Sequence, residues 1–176
     1  MVNYFSFDGI PLLFLAWAGM LLLRPWVTLM HELGHALPAI LFSAGPVAVR
    51  VGRPQGAGFA ICKCLKIEFS LRRGNEGCTM YTLEHGKNWQ KLLILTGGPF
   101  ASILSCQISG YLLFGSQATH LWAEIALVSW FCANGLVLLR SVIPMRLRPT
   151  ESFPNGPQSD GLQILYIITG KGEKCE

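Results

Sequence analysis

The sequence predicts a mainly α, polytopic membrane protein: a three-helix transmembrane core, a short C-terminal half-helix, and a small antiparallel β-sheet between the first and second spans. Composition is the first reason. Of 176 residues 51% are hydrophobic and only 14% charged, against about 25% charged in a soluble domain, and the mean hydropathy is +0.42. The second reason is where the charges fall, because Gly9–Leu23, Leu92–Ala123 and Ile125–Leu139 carry none. The third is a local change of period, with Leu65, Ile67, Phe69 and Leu71 alternating with Lys66, Glu68, Ser70 and Arg72 as in a half-buried strand.

A membrane-spanning helix needs about 20 mostly apolar residues. The first such segment covers residues 10–44 and is interrupted by Arg24-Pro25, so it is either one tilted helix or an interfacial piece followed by a span starting near Trp26. The second span covers residues 89–115 and the third 119–143, joined as a hairpin through Gly115-Ser116-Gln117. Between the first and second spans, residues 45–88 hold the alternating strand and two shorter ones, Val47–Val51 and Cys78–Leu83, punctuated by glycines, Pro54 and Asn75. Trp26, Trp89 and Trp122 fall near span ends, as interfacial anchors do. Residues 144–176 comprise a proline-rich loop and a run of about eight apolar residues, Leu162–Thr169, too short to cross a bilayer.

Lys and Arg are retained on the cytoplasmic side of a membrane. Eight of them lie between Gly45 and Lys91, the hairpin turn has none, and Arg140, Arg146 and Arg148 follow the third span. The count places the N-terminus outside and both the 45–91 loop and the C-terminus in the cytoplasm. The first eight residues contain no Lys or Arg, so the basic start of a cleavable signal peptide is missing. A net charge of +4, in blocks between apolar runs, argues against a nucleic-acid partner. Two of the six cysteines sit inside apolar runs, which favours reduced thiols over a secreted disulfide framework. Cys62, Cys64 and Cys78 could lie near one another on adjacent strands and bind a second metal, but they lack the usual C-x-x-C spacing.

One constellation carries chemistry. His31-Glu32-Leu33-Gly34-His35 is an H-E-x-x-H inside the first apolar segment. On a helix, residues i and i+4 share a face, so both imidazoles can bind one Zn2+ with Glu32 beside them as general base. Polar groups at membrane depth are costly and usually face a cavity or a functional pathway, the alternative being a polar seam satisfied by neighbouring helices. A hydrolytic zinc site commonly has a third protein ligand. The candidates are Asp160, Glu84, His85, His120 and Glu124. His120 and Glu124 belong to the outer end of the hairpin, whereas Asp160 lies in the irregular stretch Met145–Gly161, which can dip into a bundle where it lines a cavity. The competing reading of Asp160 is a helix N-cap.

These marks, together with Gly97-Gly98-Pro99 in the second span and Ser159-Asp160-Gly161 after the third, resemble the site-2 protease family of intramembrane zinc metalloproteases over residues 10–165. The resemblance implies one Zn2+ per chain held by His31, His35 and Asp160, with Glu32 as catalytic base. It also implies membrane-spanning protein substrates cut within or near the lipid bilayer. The sequence departs from the family pattern where Ser141 and Ser102 occupy positions usually held by Asn, while Asn134 lies seven residues before Ser141 on the same helical face. Asn134 and Ser141 are therefore the candidate substrate-binding residues. The alternative from another class is a non-proteolytic zinc-containing membrane protein that binds or scaffolds partner helices, as a homo-oligomer or with a membrane partner.

Overall fold

The computed structural model describes residues 10–53, 59–83, 86–115, 120–149 and 155–170. Among the described residues there are four helices, α1 (Ile10–Phe42), α2 (Asn88–Gly115), α3 (Leu121–Val142) and α4 (Asp160–Thr169), and a sheet formed by β1 (Val47–Val51), β2 (Phe59–Cys62), β3 (Leu65–Phe69) and β4 (Gly77–Met80), with α1 lying against β1 and β4. Three of the helices, α1, α2 and α3, are long and apolar enough to cross a membrane. They pack mutually and carry large apolar side chains outward, among them Leu22, Leu41, Tyr111, Phe114 and Trp122, each at least 70% exposed. Polar side chains go inward instead: Thr28, His31, Glu32, His35, Ser102, Ser129, Asn134 and Ser141 are buried. That inside-out distribution suits a lipid surround and not water.

The first segment is one continuous helix of 33 residues that runs through Arg24-Pro25, about 50 Å at 1.5 Å per residue. Trp26 is accordingly not at a helix start, and its ring packs on Phe69 of β3 at 4.8 Å. Pro38 also lies within α1. Having no N–H, it leaves the Gly34 carbonyl without its helical donor, and that carbonyl faces Gly97 of α2. A Cβ on Gly97 would collide with it, and one on Gly34 would meet the Gly97 carbonyl and Ala101. Small residues thus let the two backbones touch. On the other side of α1, Ser129 of α3 donates to the Ala16 carbonyl at 2.9 Å.

The sheet is mixed, not wholly antiparallel. Its order is β2-β3-β1-β4, with β1 parallel to β3 (Val47↔Leu65), and antiparallel to β4. The reason is burial. Val47, Val49 and Val51 are all 0% exposed, so β1 takes a central place, and β2 with its connections supplies the crossover that a parallel neighbour requires. These valines pack with Ala36, Ala39 and Ile94, so the core lies between the sheet and the adjoining ends of α1 and α2. The strand anticipated at Cys78–Leu83 is shorter, and Phe59–Cys62 forms a strand not anticipated. In β3 the alternation is modified, since Glu68 is more buried than its apolar neighbours. It pairs with Arg50 through Oε2 and Lys66 through Oε1, both at 2.8 Å. The hairpin turn at 116–117 lies outside the described residues.

The third span ends where the loop to α4 begins. Met145–Leu147 runs antiparallel to residues 157–159 through an Arg146–Gln158 bridge, with Leu147 N donating to the Pro157 carbonyl and Ser159 N to that of Met145. This pairing returns the chain to the bundle and delivers α4, whose 10 residues span about 15 Å, the short helix the sequence predicts.

Two outcomes follow from this packing. Gly97→Ala should destabilise the detergent-solubilised protein by about 1–3 kcal/mol, read by thermal unfolding, because α1 and α2 must part. Lys66 and Arg50 hold the Glu68 carboxyl below its ordinary 4.5. A depressed folded pKa gives stability that is present above 4.5 and lost as pH falls through the lowered value. Acidification should therefore lower the melting temperature of the wild type more than that of Glu68→Gln.

Candidate metal centre

The helical spacing of His31 and His35 turns both rings to the side of α1 that faces α2 and α4. His31 Nε2 and His35 Nε2 are 3.2 Å apart, and Asp160 Oδ2 lies 3.1 Å from the first and 3.4 Å from the second. One nitrogen from each imidazole and one carboxylate oxygen thus converge on a single point. Around a tetrahedral ion with bonds of about 2.0–2.1 Å, ligand atoms stand about 3.3–3.4 Å apart, so these separations are close to the edges of a coordination tetrahedron. A buried His31, His35 and Asp160 group that can hold a metal ion is the arrangement the sequence predicts.

The other ring nitrogens are fixed too. His35 Nδ1 donates to the Ile94 carbonyl at 2.7 Å. Its ring occupies the space left by Gly98, where a Cβ would run into the imidazole. His31 Nδ1 is 2.9 Å from Ser102 Oγ. With Nε2 serving as a metal ligand, Nδ1 keeps the proton and donates to that hydroxyl, which sets the ring orientation and raises ligand basicity. The Gly97-Gly98-Pro99 run therefore serves helix packing and ring placement, and Ser102 orients the His31 ring.

Asp160 is held by its neighbour. Ser159 is the N-cap of α4, so the cap role that competed for Asp160 falls one residue earlier. The Ser159 hydroxyl donates to the Ile143 carbonyl at 2.8 Å and accepts from Met145 N at 3.1 Å and Leu162 N at 3.2 Å. It ties the end of α3 to the start of α4 and sets the ligand between them.

Glu32 is not one of the three converging ligands. It lines the same cavity of about 210 Å³ as His31 and Asp160. Thr79 of β4 donates to Glu32 Oε2 at 2.7 Å and lies 3.1 Å from its backbone carbonyl. Gly77 lies against Oε1, where any side chain would strike the carboxylate. Thr79 and Gly77 were not among the sequence candidates, because nothing short of the sheet register brings β4 to α1. Ser141 also lines the cavity, is 7% exposed, and its hydroxyl has no hydrogen-bond partner among the described residues. Asn134 does not line it. Asn134 is fully buried, bonds back to the Trp130 carbonyl at 2.9 Å, and leaves Oδ1 unpaired.

Of the other ligand candidates, Glu84 and His85 lie outside the described residues. His120 and Glu124 sit at the start of α3, about 25–30 Å along the helix from Ser141. Cys78 lines the cavity but lies on β4, separated from the β2–β3 turn carrying Cys62 and Cys64 by two strands. The three thiols therefore do not form one metal site.

Comparison of the chain with protein-family models, curated proteins and solved structures returned no match. The resemblance to site-2 proteases thus rests on the sequence motifs alone. Ser102→Ala should weaken metal binding by about 10–100-fold, measured by competition with a chromogenic chelator, because His31 loses the group that orients it.

Proposed function

We propose that the chain is an intramembrane zinc metalloendopeptidase of the site-2 protease type that hydrolyses peptide bonds of membrane-spanning substrate helices. The observation that carries this reading is the convergence of His31 and His35 with Asp160, 129 residues away in sequence from His31, beside a separately held Glu32 carboxylate. The donor set of two imidazoles and a carboxylate suits zinc. When bound, zinc supplies Lewis-acid chemistry, acidifying water and polarising a carbonyl.

The chain's own residues do the rest. Glu32 accepts the proton of the attacking water and passes it to the leaving amine. Thr79 fixes Oε2, so the carboxylate keeps one orientation, and the bare backbone at Gly77 leaves room beside Oε1. Ser141, whose hydroxyl is unpaired in the cavity wall, donates to the substrate carbonyl as charge develops there. A helical substrate protects its carbonyls by internal hydrogen bonds, so it binds unwound, and β4 is the sheet edge lining the cavity. An extended segment adds to that edge as a strand. Water reaches the site along the polar loop before α4. The charge count puts this end of the bundle on the cytoplasmic side.

Elemental analysis of detergent-purified protein should find one zinc per chain, lost in His35→Ala and Asp160→Ala. Glu32→Gln should retain the metal and cut a single-span model substrate about 10²–10⁴-fold more slowly than wild type. Metal bound without cleavage by the wild type would favour the scaffold reading, and zinc unaffected by Asp160→Ala would overturn the ligand assignment.

A further inference from the structure

The C-x-C sequence unused by the metal centre lies at the far edge of the sheet. Lys63 and Cys64 form the turn between β2 and β3, and Cys62 is paired with Leu65 across the hairpin. Both cysteines are exposed and free, and their sulfurs are 2.7 Å apart. The other described cysteines differ. Cys106 lies in α2 and Cys132 in α3, while the Cys78 thiol on β4 is pushed up by burial.

We propose that Cys62 and Cys64 form a thiol–disulfide exchange site that reacts with a low-molecular-weight disulfide such as oxidised glutathione. The Cys62 thiolate attacks one sulfur of that disulfide, forming a mixed disulfide and releasing one thiolate. Cys64 then attacks the Cys62 sulfur, closing the internal disulfide and releasing the second. The protein dithiol loses two electrons, the small disulfide gains them, and the two cysteine protons end on the two released thiols.

The division of labour has a physical basis. The Cys64 thiol, together with the backbone N–H groups of Cys64 and Leu65, stabilises a thiolate at Cys62 and lowers its pKa. Cys62 is thus the attacking thiol and Cys64 the resolving one. The ring closes over a single intervening residue, so it removes little entropy from the unfolded chain and acts as a chemical switch, not a structural staple. Exposure at the turn gives the reagent access. The inference is independent of the hydrolytic reading, because β3 and β1 stand between this turn and the strand that holds Glu32.

The full chain in detergent, equilibrated with reduced and oxidised glutathione, acid-quenched, alkylated and mapped by mass spectrometry, tests this. Cys62 and Cys64 should lose alkylation together in a peptide two hydrogens lighter, while Cys78 remains alkylated. The midpoint should follow the square of reduced over oxidised glutathione concentration, as an internal disulfide requires. Cys64→Ser should accumulate a glutathione adduct on Cys62. Full alkylation at every ratio, independent glutathione adducts on the two cysteines of the wild type, or a disulfide between chains would each overturn the proposal.

Discussion

At the crossing of α1 and α2 the backbone of Gly34 meets that of Gly97, and the rest of the site is built from this approach. Pro38 frees the Gly34 carbonyl, the two glycines remove the side chains that would hold the helices apart, and Gly98 opens a space that the His35 ring fills. With the helices so close, the Ile94 carbonyl and the Ser102 hydroxyl reach the Nδ1 atoms of His35 and His31. Buried imidazoles that would be costly if unsatisfied are thereby anchored with their Nε2 atoms facing one point.

The sheet supplies a second constraint. Three fully buried valines make β1 its centre, which forces β4 to an edge and lays it along α1. Thr79 and Gly77 then meet the Glu32 carboxylate. Glu32 and the two imidazoles consequently come from adjoining positions of α1 but answer to different supports: α2 holds the histidine rings, and the sheet holds the Glu32 carboxylate. The paired segments 145–147 and 157–159 complete the arrangement by returning the chain after α3, and Ser159 sets Asp160 over the histidines.

The proposed hydrolytic chemistry would have to reconcile two needs that oppose each other in a membrane. Lipid-facing surfaces must be apolar, and here α1–α3 present Leu, Phe, Tyr and Trp outward. A water-consuming reaction needs polar walls, which are supplied where the bundle meets the sheet, with Arg50, Glu76, Arg140 and Gln158 all lining the cavity. Arg140 also donates to the Asn75 carbonyl at 3.2 Å, joining the end of α3 to the loop that leads into β4.

Much of this was legible in the sequence because it depends on short-range spacing. Runs without charge give the three long helices, i and i+4 give the facing histidines, and eight apolar residues before Gly170 give a helix too short to cross. Asp160 could be singled out from a loop whose composition suits a cavity wall. The parallel pairing of β1 with β3 could not, since alternation records which face is buried and not which strand is neighbour. Nor could the helper residues: Ser102, the Ile94 carbonyl, Thr79 and Gly77 are ordinary in sequence and gain their roles only from contacts 45 to 71 residues distant. Sequence alone was enough for the three helices long and apolar enough to cross a membrane and for the residue types that could hold a metal, because periodicity and burial act locally. Which groups orient them was decided by the tertiary structure alone, because close approach between helices, and between helix and sheet, is a property of the packed chain.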